Sequence, residues 1–394
     1  MANSGFHPVE HDGRVPEVAV GMLGYNFMAK AHANAYTTIP YIFWPNSIHP
    51  RLHAIAGRAE ERVAEAARRY GFAGYYLDWE ELTADDTITL FDNCAFHHMH
   101  VEPAIAALRA GKHVLCEKPL ALNAEDAHRM LTVARASGRK HMTGFNYRFL
   151  PAIRLAQDLI ARGLLGDLYH LRMSYLQQSL HDPTAPMRKP IHPDAAKAGS
   201  QAVLGCHAVD MARFLVGELA TVSAVAPRFV PERPGPDCNP VQIEWDDASV
   251  SLVEFANGAV GTIEASRAAT GRRNSLRFEI NGSRGSIGFD LERLNELQVY
   301  LVDAPVADVV GMQDVLVTDA GHPFSKVWWP AGHVLGWEHA HINEIQHLLR
   351  AIVDDTDVAP YGATFEDGYR AAVIAEAVAT AAESGQRQLL KYEL

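Results

Sequence analysis

Cysteine is scarce in this chain, four residues in 394. Cys94, Cys116, Cys206 and Cys238 lie far apart, so neither a disulfide framework nor a thiolate zinc site is expected, and the expected compartment is a reducing cytoplasm. Positive charge is in deficit as well. Lysine and arginine number 35 against 47 acidic residues, a formal charge of −12, which repels phosphate backbones and anionic headgroups; no nucleic-acid or membrane partner is expected. No apolar run approaches the length of a membrane span, and residues 1–14 lack a signal-peptide core. Low-complexity tracts are missing too. What remains is 48% hydrophobic content over 394 residues, enough for two cores and therefore two domains.

The first half alternates strand and helix patterns. Glu17 to Gly24 is an apolar strand entering a turn, and helix-forming residues run from Ala29 to Tyr36. In a G-x-G-x-x-G frame opening at Gly24, the second glycine is replaced by Asn26 and the third by Ala29. Asn26 tolerates a left-handed backbone and Ala29 still permits close helix packing, so Gly24, Asn26, Phe27 and Met28 are read as a pyrophosphate cradle for NAD or NADP. After the second strand, Arg51 to Ala56, Arg58 stands where an NAD site usually places an acid. It would hold a 2′-phosphate or stack on adenine, which leaves NAD against NADP open. The segment Ile39 to Asn46 reads as an aromatic loop in need of cover.

Two later turns carry chemistry. His97, His98 and His100 follow a strand; neighbouring histidines at a strand end do not converge on one ion and no carboxylate or thiolate completes the spacing, so no metal is expected. His97 and His100 are read instead as lining the nicotinamide half of the cofactor. His113 to Cys116 is a short buried strand that delivers Glu117-Lys118-Pro119 to its carboxyl end, where open α/β sheets bind ligands. A lysine there can steady a sugar oxyanion or, if desolvated, accept a proton.

Beyond about Pro151 the pattern changes to clustered alternating strands, with Asn257-Gly258 and Asn281-Gly282 as hairpin turns. The expected architecture is a Rossmann dinucleotide-binding domain over residues 15–146 and a C-terminal α+β domain with a largely antiparallel open sheet over residues 147–394. One helix in the second domain, about Ala202 to Val216, presents His207 and Asp210 on one face, with His207 suited to proton transfer in the interdomain cleft.

Taken together, Gly21 to Ala29, Glu117-Lys118-Pro119, Asn146-Tyr147-Arg148-Phe149-x-Pro151 and Gly205-x-His207-x-x-Asp210 resemble the Gfo/Idh/MocA oxidoreductases, the glucose-fructose oxidoreductase and inositol dehydrogenase type. Phe43-Trp44-Pro45, Tyr175-Leu176-Gln177 and Trp329-Pro330 are similar to its levoglucosan dehydrogenase-like subgroup. The resemblance implies hydride transfer between a sugar or cyclitol carbon, C3 being favoured, and nicotinamide. Lys118 and His207 match the family's catalytic lysine and histidine, Glu117 and Asn146 position the nicotinamide, and Lys118–Pro119 is expected to be cis. On the substrate side Tyr147, Tyr175, Trp329 and Trp337 would stack on a pyranose, Gln177 lies in the matching stretch, and Arg148 with Arg188 would hold an acidic substituent. An open sheet used for assembly implies a homodimer or homotetramer.

The sequence departs from that pattern at informative places. Four residues before His207, where such dehydrogenases carry a proton-relaying aspartate, stands Val203, and Phe96-His97 replaces the customary Pro-Asn. The loss opens a second reading, an NAD-dependent glycosidase that transiently oxidises C3 and eliminates the aglycone, using bases from His97, His98, His181, His192, His207, His339 and His341. A third is a nucleotide-binding partner protein without catalysis.

Overall fold

The computed structural model describes residues 15–45, 48–186, 199–235, 239–303, 308 and 310–393. Cys238, Arg188 and His192 lie outside them.

The first half is a six-stranded parallel sheet. Its strands are β1 (Glu17–Leu23), β2 (His49–Ala56), β3 (Gly74–Tyr76), β4 (Leu90–Asn93), β5 (His113–Glu117) and β6 (His141–Gly144), and their spatial order is β3-β2-β1-β4-β5-β6. That is the doubly wound Rossmann order, with its switch point between β1 and β4. Six consecutive residues of β1 are buried, as a parallel strand covered by helices on both faces requires. The helices are α1 (Phe27–Ile42), α2 (Glu60–Tyr70), α3 (Trp79–Ala84), α4 (Val101–Arg109) and α5 (Ala124–Ser137).

Local chemistry sets their ends. α2 opens on Glu60 and Glu61, closes on Arg68 and Arg69, and stops at Gly71 with φ +85°, so its charges oppose the helix dipole and a left-handed glycine ends it. The Asn123 side chain caps α5 by accepting from Asp126 N at 2.7 Å. α1 extends further than its sequence suggests, through Pro40 to Ile42, into the stretch expected to be an aromatic loop. Buried Ile39 and Ile42 anchor that last turn in the core. The loop's cover comes from the second half, where Trp328 meets Phe43 edge-on at 6.0 Å.

The second half begins with α6 (Pro151–Ala161) and is built on a nine-stranded mixed sheet. Its strands are β7 (Leu168–Leu176), β8 (Leu219–Val225), β11 (Ala248–Phe255), β12 (Val260–Ser266), β13 (Ser275–Gly282), β14 (Gly285–Asp290), β15 (Glu296–Leu301), β16 (Gln313–Leu316) and β17 (Gln388–Leu389), while β9 (Glu232–Pro234) and β10 (Pro240–Gln242) form a separate ribbon. All pairs in the large sheet are antiparallel except β7 with β12. Hairpins fall where the sequence placed them, but Asn281 and Gly282 end β13 and the turn itself is Ser283-Arg284. One face packs α6 and α7 (Cys206–Leu215) over the core of Leu171, Met173, Val209, Ile263 and Phe278. The other carries exposed Val250, Leu252 and Val260.

The last two helices return to the first sheet. α8 (Glu338–Val353) packs Ile342, Ile345 and Leu349 among Val18, Tyr36 and Ile39. On the opposite face, α9 (Phe365–Ser384) packs Phe365 and Tyr369 with Leu108, Leu120 and Met130. C-terminal side chains are thereby brought beside the carboxyl ends of β1, β4 and β5.

Candidate active site

The β1–α1 turn fixes the first wall. Gly24 has φ +97°, and a Cβ there would meet the Cys94 carbonyl oxygen at 2.8 Å, so glycine is needed for both dihedral and space. Asn26 precedes α1 without capping it by a side-chain bond. Phe27 is exposed and stacks on Trp337 at 5.4 Å and 18°, joining the two halves over the cleft.

Beneath that turn lies a buried polar chain that the sequence did not announce. His32 on α1 is fully buried, with Nδ1 2.9 Å from Asp92 and Nε2 3.2 Å from Glu117 Oε1. Burial opposes its charge, but the Asp92 carboxylate lifts His32 well above its ordinary value. A protonated ring then donates to both acids. Glu117 also accepts from Lys118 N at 3.1 Å, and although burial works the other way, His32 and Lys118 hold its pKa near 2. The groups whose ligand atoms approach one another closely enough for a metal, among the described residues, are His32, Glu117 and His341 or His32, Asp92 and Cys94; in both, His32 is already bonded between carboxylates.

Lys118 follows at the carboxyl end of β5, before a cis bond to Pro119. Its Nζ donates across the cleft to the Val203 carbonyl oxygen at 3.1 Å. Val203 lies in a π-helical turn, Gln201–Gly205, leading into α7, a geometry often found at functional positions. The expected single helix from Ala202 is thus two segments. A Cβ at Gly205 would displace the Gln201 side-chain amide, whose Oε1 accepts from Ser249 at 2.8 Å.

His207 opens α7, nine-tenths or more buried, with the Tyr147 ring 4.8 Å away and Tyr175 at 5.7 Å. Burial, then the positive charge of Lys118, push its pKa well below 6.5, so it is a neutral base at physiological pH. Around it Asn274 Nδ2 donates to Tyr147 Oη at 3.3 Å, and Tyr147 and Tyr175 hydroxyls lie 3.0 Å apart. Tyr175 then donates to Asn274 Oδ1 at 2.7 Å, and Gln177 Nε2 donates to the same atom at 2.8 Å. This closed ring fixes every hydroxyl orientation.

These groups line one cavity of about 350 Å³. From the first half come Phe27, Met28, Glu117, Lys118 and Asn146; from the second, Tyr147, Tyr175, Gln177, His207 and Trp337. Asn274, Leu204 and His341 join them, and of these only His341 had been singled out, as one of seven candidate bases. A larger depression of about 580 Å³ lies on the outer face of the nine-stranded sheet, lined by Arg172, Glu264, Arg277 and Glu279; it carries no comparable convergence of acid–base groups.

Other expected residues lie elsewhere. Arg148 does not line the cavity: it is 2% exposed, donates through Nε to Asp210 at 2.9 Å and pairs with Asp367 at 3.2 Å. Burial works against its charge, but the two carboxylates raise its pKa above the ordinary value. The pairing also takes Asp210 away from His207. Trp329 is exposed against Trp328 and does not line the cavity. His100 is buried with Nδ1 2.8 Å from the Pro119 carbonyl oxygen and Nε2 3.2 Å from that of Ala95, so it ties two turns together rather than facing the cavity. His97 has its pKa lowered to about 3 by burial and neighbouring positive groups and does not line the cavity. Arg58 is exposed at the end of β2, away from the cavity. His181 bonds within its own turn at 2.6 Å, and His339 accepts from Gly336 N at 3.0 Å.

Features that a dinucleotide needs are present: a left-handed glycine beside β4, the start of α1 at the switch point, and at the cavity wall the buried side-chain Nδ2 of Asn146, which has no partner among the described residues. Residues 18–145 match the model of an oxidoreductase family with an NAD-binding Rossmann fold, and residues 153–288 match the GFO/IDH/MocA C-terminal domain. A levoglucosan dehydrogenase of Pseudarthrobacter phenanthrenivorans is 38% identical over 379 residues, covering 92% of this chain and 95% of that one. An inositol 2-dehydrogenase of Rhizobium meliloti is 28% identical, covering 94% and 98%. A solved levoglucosan dehydrogenase in complex with NADH and levoglucosan superposes with TM-score 0.91 at 38% identity, covering 95% of this chain and 99% of that one. With its two domains matched in order, this chain belongs to the Gfo/Idh/MocA family of oxidoreductases.

Proposed function

We propose that this protein is an NAD-dependent dehydrogenase of a sugar or cyclitol, in which residues 15–146 bind the cofactor and residues 147–394 shape the substrate side. One observation carries the reading. Lys118 from the first half and His207 from the second line the same cavity, beside the Rossmann turn and Glu117. The relatives named for levoglucosan and inositol point to a polyhydroxylated ring as substrate.

Gly24, Asn26, Phe27 and Met28 would hold the pyrophosphate, and Glu117 with Asn146 the nicotinamide end. NAD, when bound, supplies the hydride acceptor. The chain's own part is proton handling and placement. His207, kept neutral by burial, takes the hydroxyl proton. The Lys118 ammonium, oriented by the Val203 carbonyl, steadies the oxygen as negative charge develops. The Tyr147–Tyr175–Asn274 ring, with Gln177 and Trp337, seats the remaining hydroxyls and the apolar sugar face. Exposed Val250, Leu252 and Leu316 on the outer sheet are read as the surface for a homodimer or homotetramer.

Steady NADH production at 340 nm from free pyranoses, anhydro-sugars or cyclitols supports the dehydrogenase. Aglycone release without net NADH would replace it by the glycosidase, and cofactor binding with neither by a nucleotide-binding protein.

A further inference from the structure

His341 is 1% exposed, yet among the described residues neither of its ring nitrogens has a hydrogen-bond partner, and the same holds for both carboxyl oxygens of fully buried Glu344 one turn later. Buried polar atoms without partners are rare in folded proteins and call for one. The His341 ring is clamped, edge-on to Trp337 at 4.5 Å and tilted against His32 at 5.4 Å, so it cannot swing to find a partner. Its Nδ1 faces Glu344 Oε2 at 3.7 Å, and the residue lines the cavity on the same wall as Glu117 and Asn146, whose buried Nδ2 is likewise unpartnered.

We propose that His341 is a cofactor-contacting residue, supplied to the Rossmann site by α8, whose imidazole donates to the carbonyl oxygen of the nicotinamide carboxamide, with Glu344 as the positioning residue that selects its tautomer. The inference rests on the NAD-dependent reading above. Burial, with the adjoining Glu117 and Asp92 charges, raises Glu344 well above the carboxylate range, and burial holds His341 near 3. At 3.7 Å the Glu344 Oε2 to Nδ1 gap is longer than a hydrogen bond; closed by a small shift on cofactor binding, it would let a protonated Glu344 donate to Nδ1 and leave the proton of the neutral ring on Nε2. Asn146 offers a second donor. Two buried donors beside an ionised Glu117 suit a group that is acceptor at one end and N–H donor at the other, which is a primary amide. A sugar hydroxyl fits less well, because the elements behind His341 are α1 and β5 of the cofactor domain, while the sugar-side groups Tyr175, Gln177 and Asn274 belong to the second sheet.

The test is binding rather than turnover, followed by fluorescence titration of the intact chain with NAD and with its thionicotinamide analogue, whose sulfur is a weak acceptor. The wild-type protein is expected to favour NAD by about fivefold, the scale of one hydrogen bond. In His341→Phe, which keeps a ring between Trp337 and His32, that preference falls to about one. Glu344→Gln, able to donate to Nδ1 in the same way, keeps it, and Glu344→Leu loses it. A preference unchanged in His341→Phe, or lost equally in Glu344→Gln and Glu344→Leu, overturns the proposal while leaving the dehydrogenase standing. Failure of the wild-type chain to bind either dinucleotide would instead overturn the NAD reading and this inference with it.

Discussion

Lys118 Nζ and the Val203 carbonyl oxygen lie 3.1 Å apart across the cleft between the two halves. The side chain at position 203 cannot move a proton, but its backbone oxygen does something an aspartate would also do, which is to hold the ammonium in place. In the proposed mechanism proton removal then falls to neutral His207, and Lys118 steadies the developing oxyanion.

The Tyr147–Tyr175–Asn274 ring predicts a split between binding constants. Asn274→Ala leaves two tyrosine hydroxyls and the Gln177 amide without their shared partner. The KM for the sugar should rise about tenfold, the cost of one to two hydrogen bonds, while the cofactor Kd stays put. Titrating each ligand separately checks this; a cofactor Kd that moves in step with the sugar KM would show that the ring supports the fold instead.

Arg148 and Asp210 predict a loss of stability rather than of specificity. Removing one partner strands a buried charge, so Arg148→Ala should destabilise the protein by ~3–5 kcal/mol in urea unfolding. Its relative activity on neutral and acidic sugars should be unchanged. A selective loss of acidic substrates would return Arg148 to the binding site.

Acid should loosen the fold. His207 lies well below its ordinary value, His97 and His341 sit near 3, and His113 and His141 near 4, each chiefly through burial. A histidine whose folded pKa is depressed binds its proton more readily when unfolded. The stability it contributes is complete above pH 6.5 and drains as pH falls toward the folded value, on the order of 1 kcal/mol per pH unit for a fully buried ring. His32 and Glu344, both raised well above their ordinary values, act in the opposite sense, but they are two groups against these five rings. The urea midpoint should fall between pH 7 and pH 5, and a flat or rising midpoint would mean that these rings carry protons in the folded state.

Much of this was legible in the sequence where a motif fixes the backbone. Gly24, the Glu117-Lys118-Pro119 strand end and the His207 helix each sit where a strand must stop or a helix must start, so their direction follows from topology. The inward pairing of Arg148 was not legible, because adjacency to Tyr147 says nothing about which side of a short helical turn each faces. The Val203 contact was hidden because its backbone acts and not its side chain. Asn274 carries no periodic signal at the mouth of β13, and His32 is a single polar residue on an otherwise apolar helix face. The end of α1 was lost because Pro40 reads as a breaker, although buried Ile39 and Ile42 hold that turn in place.

The most direct test of the whole account is single-turnover NADH formation in Lys118→Ala, His207→Ala and the double variant, with cofactor binding verified in each. If both groups serve one hydroxyl, each single change slows the step by at least about a hundredfold and the double variant is little slower than either. Losses that multiply independently, or a single variant that turns over at the parent rate, would contradict it.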